Sequence, residues 1–337
     1  MKDLASTAAA LVASARGILA ADEGISGLSA PDRLAYHEML VTTPGLATGI
    51  SGVILGAQAW SQRMSDGTPF PGAIRDRDML PGIRVDTGTG PLPGCPGETV
   101  TEGLDGLWPR LRYFAGRGAD FASWRAPLRI GPFRPSPAAV RANAQALGRY
   151  AAACQHAGLV PVVQPEVLAD DSPSLAQCEA VTSVVLLEVL IALQDYGVAL
   201  DGMILAPSMV GSQAGRYVEP AEPADVAEAT VAALACLPAA LAGVAFSSGG
   251  QRPEQATANL AALQSPLVVW PLTFCFGRAL TGPALTAWQG PTADVRAGQR
   301  ALAGRVALNV AALERRYAPE LDSGSRSAPV SWPGTRS

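Results

Sequence analysis

Two residues apart in the apolar run "LVPVVQPEVL" (Leu159–Leu168) stand Gln164 and Glu166. A single carboxylate in such a run is a candidate proton carrier, because partial desolvation readies it to take or give a proton. An amide as its neighbour removes the like-charge repulsion that a second acid would bring. Similar polar residues end other apolar runs. Asp22 closes "GILAAD", Arg84 and Asp86 close "GIRVD", and Arg129 lies near the end of "FASWRAPLRI". Ser248 and Gly249 sit in "GVAFSSGG", and Arg278 follows "FCFG". Arginine offers a planar fork that grips carboxylate or phosphate through two N–H groups, and the backbone of "SSGG" adds N–H donors for an anion. The set suits acid–base chemistry on an anionic molecule. Glu166 moves the proton, and Asp22 orients a hydroxyl or serves as a second acid. Arg84 and Arg129 stabilise developing negative charge. The alternative is that the arginines only neutralise Asp22, Asp86 and Glu166, with Glu166 a structural acid paired to Arg129.

These residues need a frame. Eight apolar, strand-like runs recur: Gly17–Asp22, Gly52–Gly56, Gly82–Asp86, Phe121–Ile130, Leu159–Leu168, Leu200–Pro207, Gly243–Gly250 and Leu267–Phe274. Segments with helical spacing separate them, such as "PAAVRANAQALGRYAAACQHAG", which stops on glycine after its last apolar turn. Runs without polar alternation are expected of strands buried on both faces, as parallel sheets require. Eight units favour closure over an open doubly wound sheet. The expected fold is therefore a single-domain α/β protein, a (β/α)8 TIM barrel over residues 1–318, with a flexible Ser/Pro/Gly-rich tail over 319–337. Such barrels present chemistry at the C-terminal strand ends, where every candidate above falls.

Composition narrows the chemistry. Of 337 residues, 48% are apolar, enough for a large core, and the net charge of −4 argues against a nucleic-acid grip or membrane attraction. Lys2 is the only lysine among the 25 basic residues, so no interior amine can form a Schiff base with a carbonyl. The only histidines, His37 and His156, lie in helical segments away from the expected mouth, and no metal or other cofactor is expected. Five scattered cysteines without a C-x-x-C pair read as reduced thiols of a cytoplasmic protein. Cys275 can face the pocket, but no paired histidine activates it as a nucleophile. The N-terminal stretch reads as a helix entering a strand rather than a signal peptide. Neither a phosphate-binding P-loop, a dinucleotide fingerprint nor a G-x-S-x-G elbow is present.

"RGILAADEG", "DGTPFPGAI", "GETVTEGLDGL", "GADFASWR", "GRYAAACQHAGLVP", "SSGGQ" and "FGRALTGPALTAW" resemble segments of class I fructose-1,6-bisphosphate aldolase, in that family's order and over nearly the whole chain. The resemblance implies the barrel fold and, often, a homo-oligomer. It also implies altered function. The family's imine-forming lysine lies in a Leu-Lys-Pro segment, matched here by "LAPSM" with Ala206 in its place. Arg84 stands where the family's third strand has lysine, and Arg129 where its Leu-Lys-Ile-Gly segment has one. The family's Glu-Pro-Glu becomes "QPE", leaving Glu166 with Gln164. Asp22 persists, Gly24 replaces a serine, and Arg33 corresponds to an arginine in the next loop. Ser248, Gly249 and Arg278 match the phosphate-side residues, and no tyrosine ends the tail.

Alanine cannot attack a carbonyl, and a guanidinium stays protonated in proteins. The expectation is thus an aldolase-like enzyme without imine chemistry. It works by acid–base and arginine electrostatics on an anionic carbonyl or sugar-like metabolite, in a specialised biosynthetic pathway. Ala206 is expected to leave room for a bulkier ligand, with Trp124, Trp270 and Phe276 as candidate walls. The rival reading is a non-catalytic pseudo-aldolase that binds a phosphorylated metabolite or a protein partner.

Overall fold

The computed structural model describes residues 3–13, 15–24, 27–169, 173–211, 221–265, 268–290 and 294–324. Eight parallel strands close into a barrel: β1 (Gly17–Ala20), β2 (Ile50–Leu55), β3 (Leu80–Arg84), β4 (Phe121–Ile130), β5 (Val160–Ala169), β6 (Ile204–Leu205), β7 (Val244–Phe246) and β8 (Leu272–Phe276). Each pairs with its neighbours in chain order, and β1 closes on β8 through Ile18 opposite Cys275. This is the architecture expected from the apolar runs.

Two cores hold it. Inside the barrel, Ile18, Ile54, Phe121, Val162, Ile204 and Ala245 pack together. Helix α1 (Leu4–Val12) closes the floor, inserting Ala8, Leu11 and Val12 into that cluster. Phe121 fills the floor so tightly that a Cβ on Gly82 would lie 2.2 Å from its ring, so glycine there is a packing requirement. The outer layer comprises α2 (Ala30–Val41), α3 (Ala57–Trp60), α4 (Phe70–Arg75), α5 (Leu107–Ala115), α6 (Pro137–His156), α7 (Leu175–Asp195), α8 (Pro223–Ala233), α9 (Pro253–Ala262), α10 (Arg278–Trp288) and α11 (Val295–Leu313). By length and apolarity α7 is the one helix among the described residues able to cross a membrane. Here it packs Cys178, Thr182, Val185, Leu186 and Val189 inward as an ordinary outer-layer helix.

Several boundaries differ from the sequence reading. The eighth strand begins at Leu272, and Leu267, where the sequence reading starts it, lies outside the described residues. Val269 is exposed, and Trp270 donates its indole N–H to the Pro238 carbonyl at 2.8 Å, outside the strand ladder. β6 is reduced to Ile204–Leu205. A 3-10 turn at Leu200–Gly202 precedes it, and Pro207, lacking an N–H, follows. An antiparallel hairpin, Thr89–Pro91 with Thr99–Thr101, was not anticipated. Asn143 of α6 ties it down, accepting from the Thr101 amide and donating to the Thr99 carbonyl. Residues 319–324, assigned from sequence to the tail, form helix α12 (Pro319–Gly324). Its Asp322 pairs with the buried Arg305 and accepts a hydrogen bond from Tyr317. Residues 325–337 lie outside the described residues.

Candidate active site

β4 and β5 are ten residues long and run beyond the barrel wall. Their register sets Arg125 opposite Gln164, Pro127 opposite Glu166 and Arg129 opposite Leu168. Because strand side chains alternate faces, all six point to one side. They line a cavity of about 390 Å³ at the C-terminal mouth.

Arg84 at the end of β3 donates from Nη1 to Asp22 Oδ2 at 2.8 Å and from Nε to both Asp86 oxygens at 3.1 and 3.2 Å. Burial alone would lower its pKa, but the two carboxylates outweigh that and hold it above the ordinary arginine value. Asp86 also accepts from the backbone N–H groups of Gly88 and Arg125. Arg84 therefore enters the cavity wall with its charge already matched. Asp22 supports it from behind and is not itself part of the lining.

Arg125 touches two carboxylates. Its Nη1 donates to Glu23 Oε1 at 3.3 Å, and its Nε lies 3.6 Å from Glu166 Oε2. The ion pair at Glu166 is thus made by Arg125, where the sequence suggested Arg129. Glu23 sits in the turn after β1 and leans against the backbone of Gly277, where a Cβ would come within 2.3 Å of its Oε2. Desolvation raises its pKa above the usual carboxylate value; the negative charges of Glu166 and Asp22 add to the rise, and Arg125 and Arg278 oppose it.

On the opposite wall, Ser247, Ser248, Gly249 and Gly250 follow β7. Gly249 and Gly250 have φ of 54° and 84°, a left-handed turn that presents consecutive backbone units to the cavity. Ser247 Oγ is buried without a hydrogen-bond partner among the described residues. Gly277 caps the N-terminus of α10, whose first residue is Arg278, so a helix terminus and a guanidinium face the same space. In all, Arg84, Arg125, Arg129 and Arg278 line the cavity against Glu23, Asp86 and Glu166. Guanidinium and backbone N–H donors for an anion thus stand beside carboxyl groups in one cavity.

Gln164 donates its amide N–H to Cys275 Sγ at 3.4 Å. Cys275 does face the cavity, but burial pushes its pKa well above the usual thiol value, reinforced by Glu23, Asp22 and Glu166. It stays a neutral thiol, unsuited to attack.

Two expected binding residues do not reach the cavity. Ala206 is fully buried in the barrel interior beside Ile204 and Ala245, its N–H donating to the Val163 carbonyl at 2.7 Å. The shortened side chain is enclosed by packing and opens no extra pocket. Arg33 turns back to donate to the Leu28 carbonyl at 2.9 Å. Trp124 and Phe276 belong to the outer core, and Trp270 packs at its edge. His37 is buried; its Nε2 bonds the Ala21 carbonyl at 3.2 Å, and burial lowers its pKa. His156 stacks on Trp108 at 4.9 Å. Among the described residues no cluster of metal-binding side chains occurs.

Glu23 and Arg125 went unselected in the sequence. Arg125 carried a usable signal: it is four residues before Arg129, hence on the same strand face. Glu23 did not, because the chain leaves the strand at Ala20 and alternation ceases.

Fold and site together define a (β/α)8-barrel protein with an arginine- and carboxylate-lined pocket at its C-terminal mouth. The profile of the family described as fructose-bisphosphate aldolase class-I matches residues 3–331. The chain is 42% identical over 341 residues to the non-muscle fructose-bisphosphate aldolase of Lethenteron camtschaticum, covering 97% of this chain and 94% of that protein. It is 45% identical over 300 residues to a probable class 1 fructose-bisphosphate aldolase of Xanthomonas campestris, covering 86% and 90%. Plasmodium falciparum fructose-bisphosphate aldolase, solved with TRAP and a small-molecule inhibitor, superposes with a TM-score of 0.89 at 38% identity, over 94% of this chain and 95% of that one. The chain belongs to the class I fructose-bisphosphate aldolase family.

Proposed function

We propose that this protein is an aldolase-type lyase that works without an imine, on an anionic carbonyl or sugar-like metabolite. One observation carries the reading. Glu166 stands in the cavity against Arg125, beside an anion-suited wall, in a chain whose only lysine is Lys2. Membership of an aldolase family supports carbon–carbon bond chemistry next to a carbonyl. The residues at hand support how it runs. Glu166 removes a proton from the carbon beside the carbonyl. Arg125 and Arg129 stabilise the enolate, with Arg84 fixed between Asp22 and Asp86 as a rigid part of the wall. Arg278, Ser248 and Gly249 hold the phosphate or carboxylate, and Gln164 orients polar groups beside Glu166. A specialised biosynthetic role, at a cytosolic location like that in the name of the cytosolic fructose-bisphosphate aldolase 6 of Arabidopsis thaliana, fits an enzyme departing from ordinary aldolase activity.

The complete pairing of Arg84 by carboxylates favours a second reading, a pseudo-aldolase that binds a phosphorylated metabolite without turning it over. A screen of phosphorylated and carboxylated carbonyl compounds separates them. The enzyme reading requires that the wild type consume a compound, or exchange its carbon-bound protons with solvent, and that Glu166→Gln still bind it while losing turnover. A compound that raises the melting temperature, with nothing consumed or exchanged across the screen, defeats it.

A further inference from the structure

We infer that Glu23 is the second catalytic carboxyl of this cavity, the proton donor that works with Glu166 across the shared guanidinium of Arg125. The inference rests on the imine-free, proton-transfer reading above and assigns its missing acid.

The geometry leads to it. Of the two carboxylates after β1, Asp22 is held by Arg84 and lies behind the lining, whereas Glu23 lines the cavity. Arg125 reaches Glu23 with Nη1 and Glu166 with Nε, so one planar cation joins a carboxyl of the turn after β1 to one on β5. The charged and titratable groups facing Glu23 are Asp22 beside it, Arg125 from β4, Glu166 from β5, Cys275 from β8 and Arg278 from α10. Gly277 fixes its position, since any side chain there would displace the carboxyl. Burial and the neighbouring acids favour the protonated form. Paired carboxyls whose surroundings push their proton affinities apart are how enzymes separate an acid from a base.

The step balances. Glu166 takes the proton from the carbon beside the carbonyl, and that C–H electron pair forms the C=C bond. The carbonyl π pair moves to oxygen, which takes the proton of Glu23. Glu166 ends neutral and Glu23 ends anionic, so Arg125 always faces one carboxylate. The guanidinium need not move: its charge is matched by Glu166 before the step and by Glu23 after it. A positive group held ready in this way costs no reorganisation during reaction.

Two measurements test it, with dihydroxyacetone phosphate in D2O as the probe. The first is a ¹³C NMR titration of carboxyl-labelled wild type, with Glu23→Gln assigning the resonance. Glu23 should stay protonated through the ordinary carboxylate range, and should titrate lower in Glu166→Gln, where the like charge is gone. The second is exchange of the probe's carbon-bound protons. Glu23→Gln should slow it about a hundredfold or more, as loss of a general acid does, and Glu23→Asp should recover part. The wild-type rate should fall on the alkaline side as Glu23 ionises, and the residual Glu23→Gln rate should lack that limb. If Glu23 titrates as an ordinary carboxylate, the inference fails while the enzyme reading survives. If it stays protonated but Glu23→Gln exchanges like wild type, burial alone explains it and the inference is again overturned. If the wild type binds the probe and exchanges nothing, the assignment of Glu23 is overturned, while the proposed function stands or falls on the wider screen above.

Discussion

Replacing Arg125 by glutamine removes the guanidinium that contacts both Glu23 and Glu166. At 3.6 Å, and an effective dielectric constant of about 20, Arg125 and the Glu166 carboxylate attract by roughly 5 kcal/mol before desolvation is counted, and Glu23 adds a similar attraction only when it is ionised. Breaking a fully buried pair by deleting one partner costs about 3–5 kcal/mol. Arg125 keeps 31% of its side chain in solvent, so a loss of about 2–3 kcal/mol is expected near pH 8. The loss must also depend on pH. Arg125 opposes the upward shift of Glu23, so its removal raises that folded-state pKa further above the unfolded value. Stability from a raised carboxyl is fully present below the unfolded pKa and is lost as pH rises through the folded one. As pH falls the stranded Glu23 carboxyl takes up its proton, and the loss should shrink to about 1 kcal/mol or less near pH 5. Urea unfolding of wild type and Arg125→Gln across this range checks it. An equal loss at both ends would refute the claim that Arg125 offsets the charge of Glu23 when it ionises.

Phe121→Ala should destabilise the barrel by about 3–5 kcal/mol, because Phe121 fills the floor against Gly52 and Gly82; chemical denaturation reads it, and a loss below about 1 kcal/mol would mean the floor collapses to fill the space. His37 supplies a pH effect of opposite sign. Burial lowers its folded pKa below the unfolded value, so the unfolded chain takes up a proton first and stability falls as pH drops below about 6.5. His37→Gln should remove that part of the decline, and an unchanged difference between the two proteins across the window would contradict it.

The closed eight-stranded fold was legible because buried parallel strands advertise themselves as apolar runs bounded by glycine and proline, and the interior of "LVPVVQPEVL" is strand throughout. Runs mislead where apolarity continues outside the ladder. "LVVW" is apolar, yet Val269 faces solvent and the strand starts beyond Pro271. The mouth was readable as a set of strand-end charges, which is why Arg84, Arg129, Gln164, Glu166, Ser248, Gly249 and Arg278 all meet in one cavity. Partnerships were not readable. Whether Glu166 pairs with Arg125 or Arg129 depends on strand register across β4 and β5. Whether Asp22 or Glu23 enters the cavity depends on a turn with no periodicity. At Ala206 the sequence gives the residue type, but whether space beside it opens to solvent depends on packing, which one chain position cannot disclose.

The proposed catalysis proceeds without a covalent bond between protein nitrogen and substrate carbon. Sodium borohydride added while the protein is exposed to dihydroxyacetone phosphate, followed by intact-mass spectrometry, tests it most directly. The expected result is an unchanged protein mass under conditions where carbon-bound protons of the probe still exchange in a Glu166-dependent manner. A reduced amine adduct whose formation tracks that exchange would contradict it.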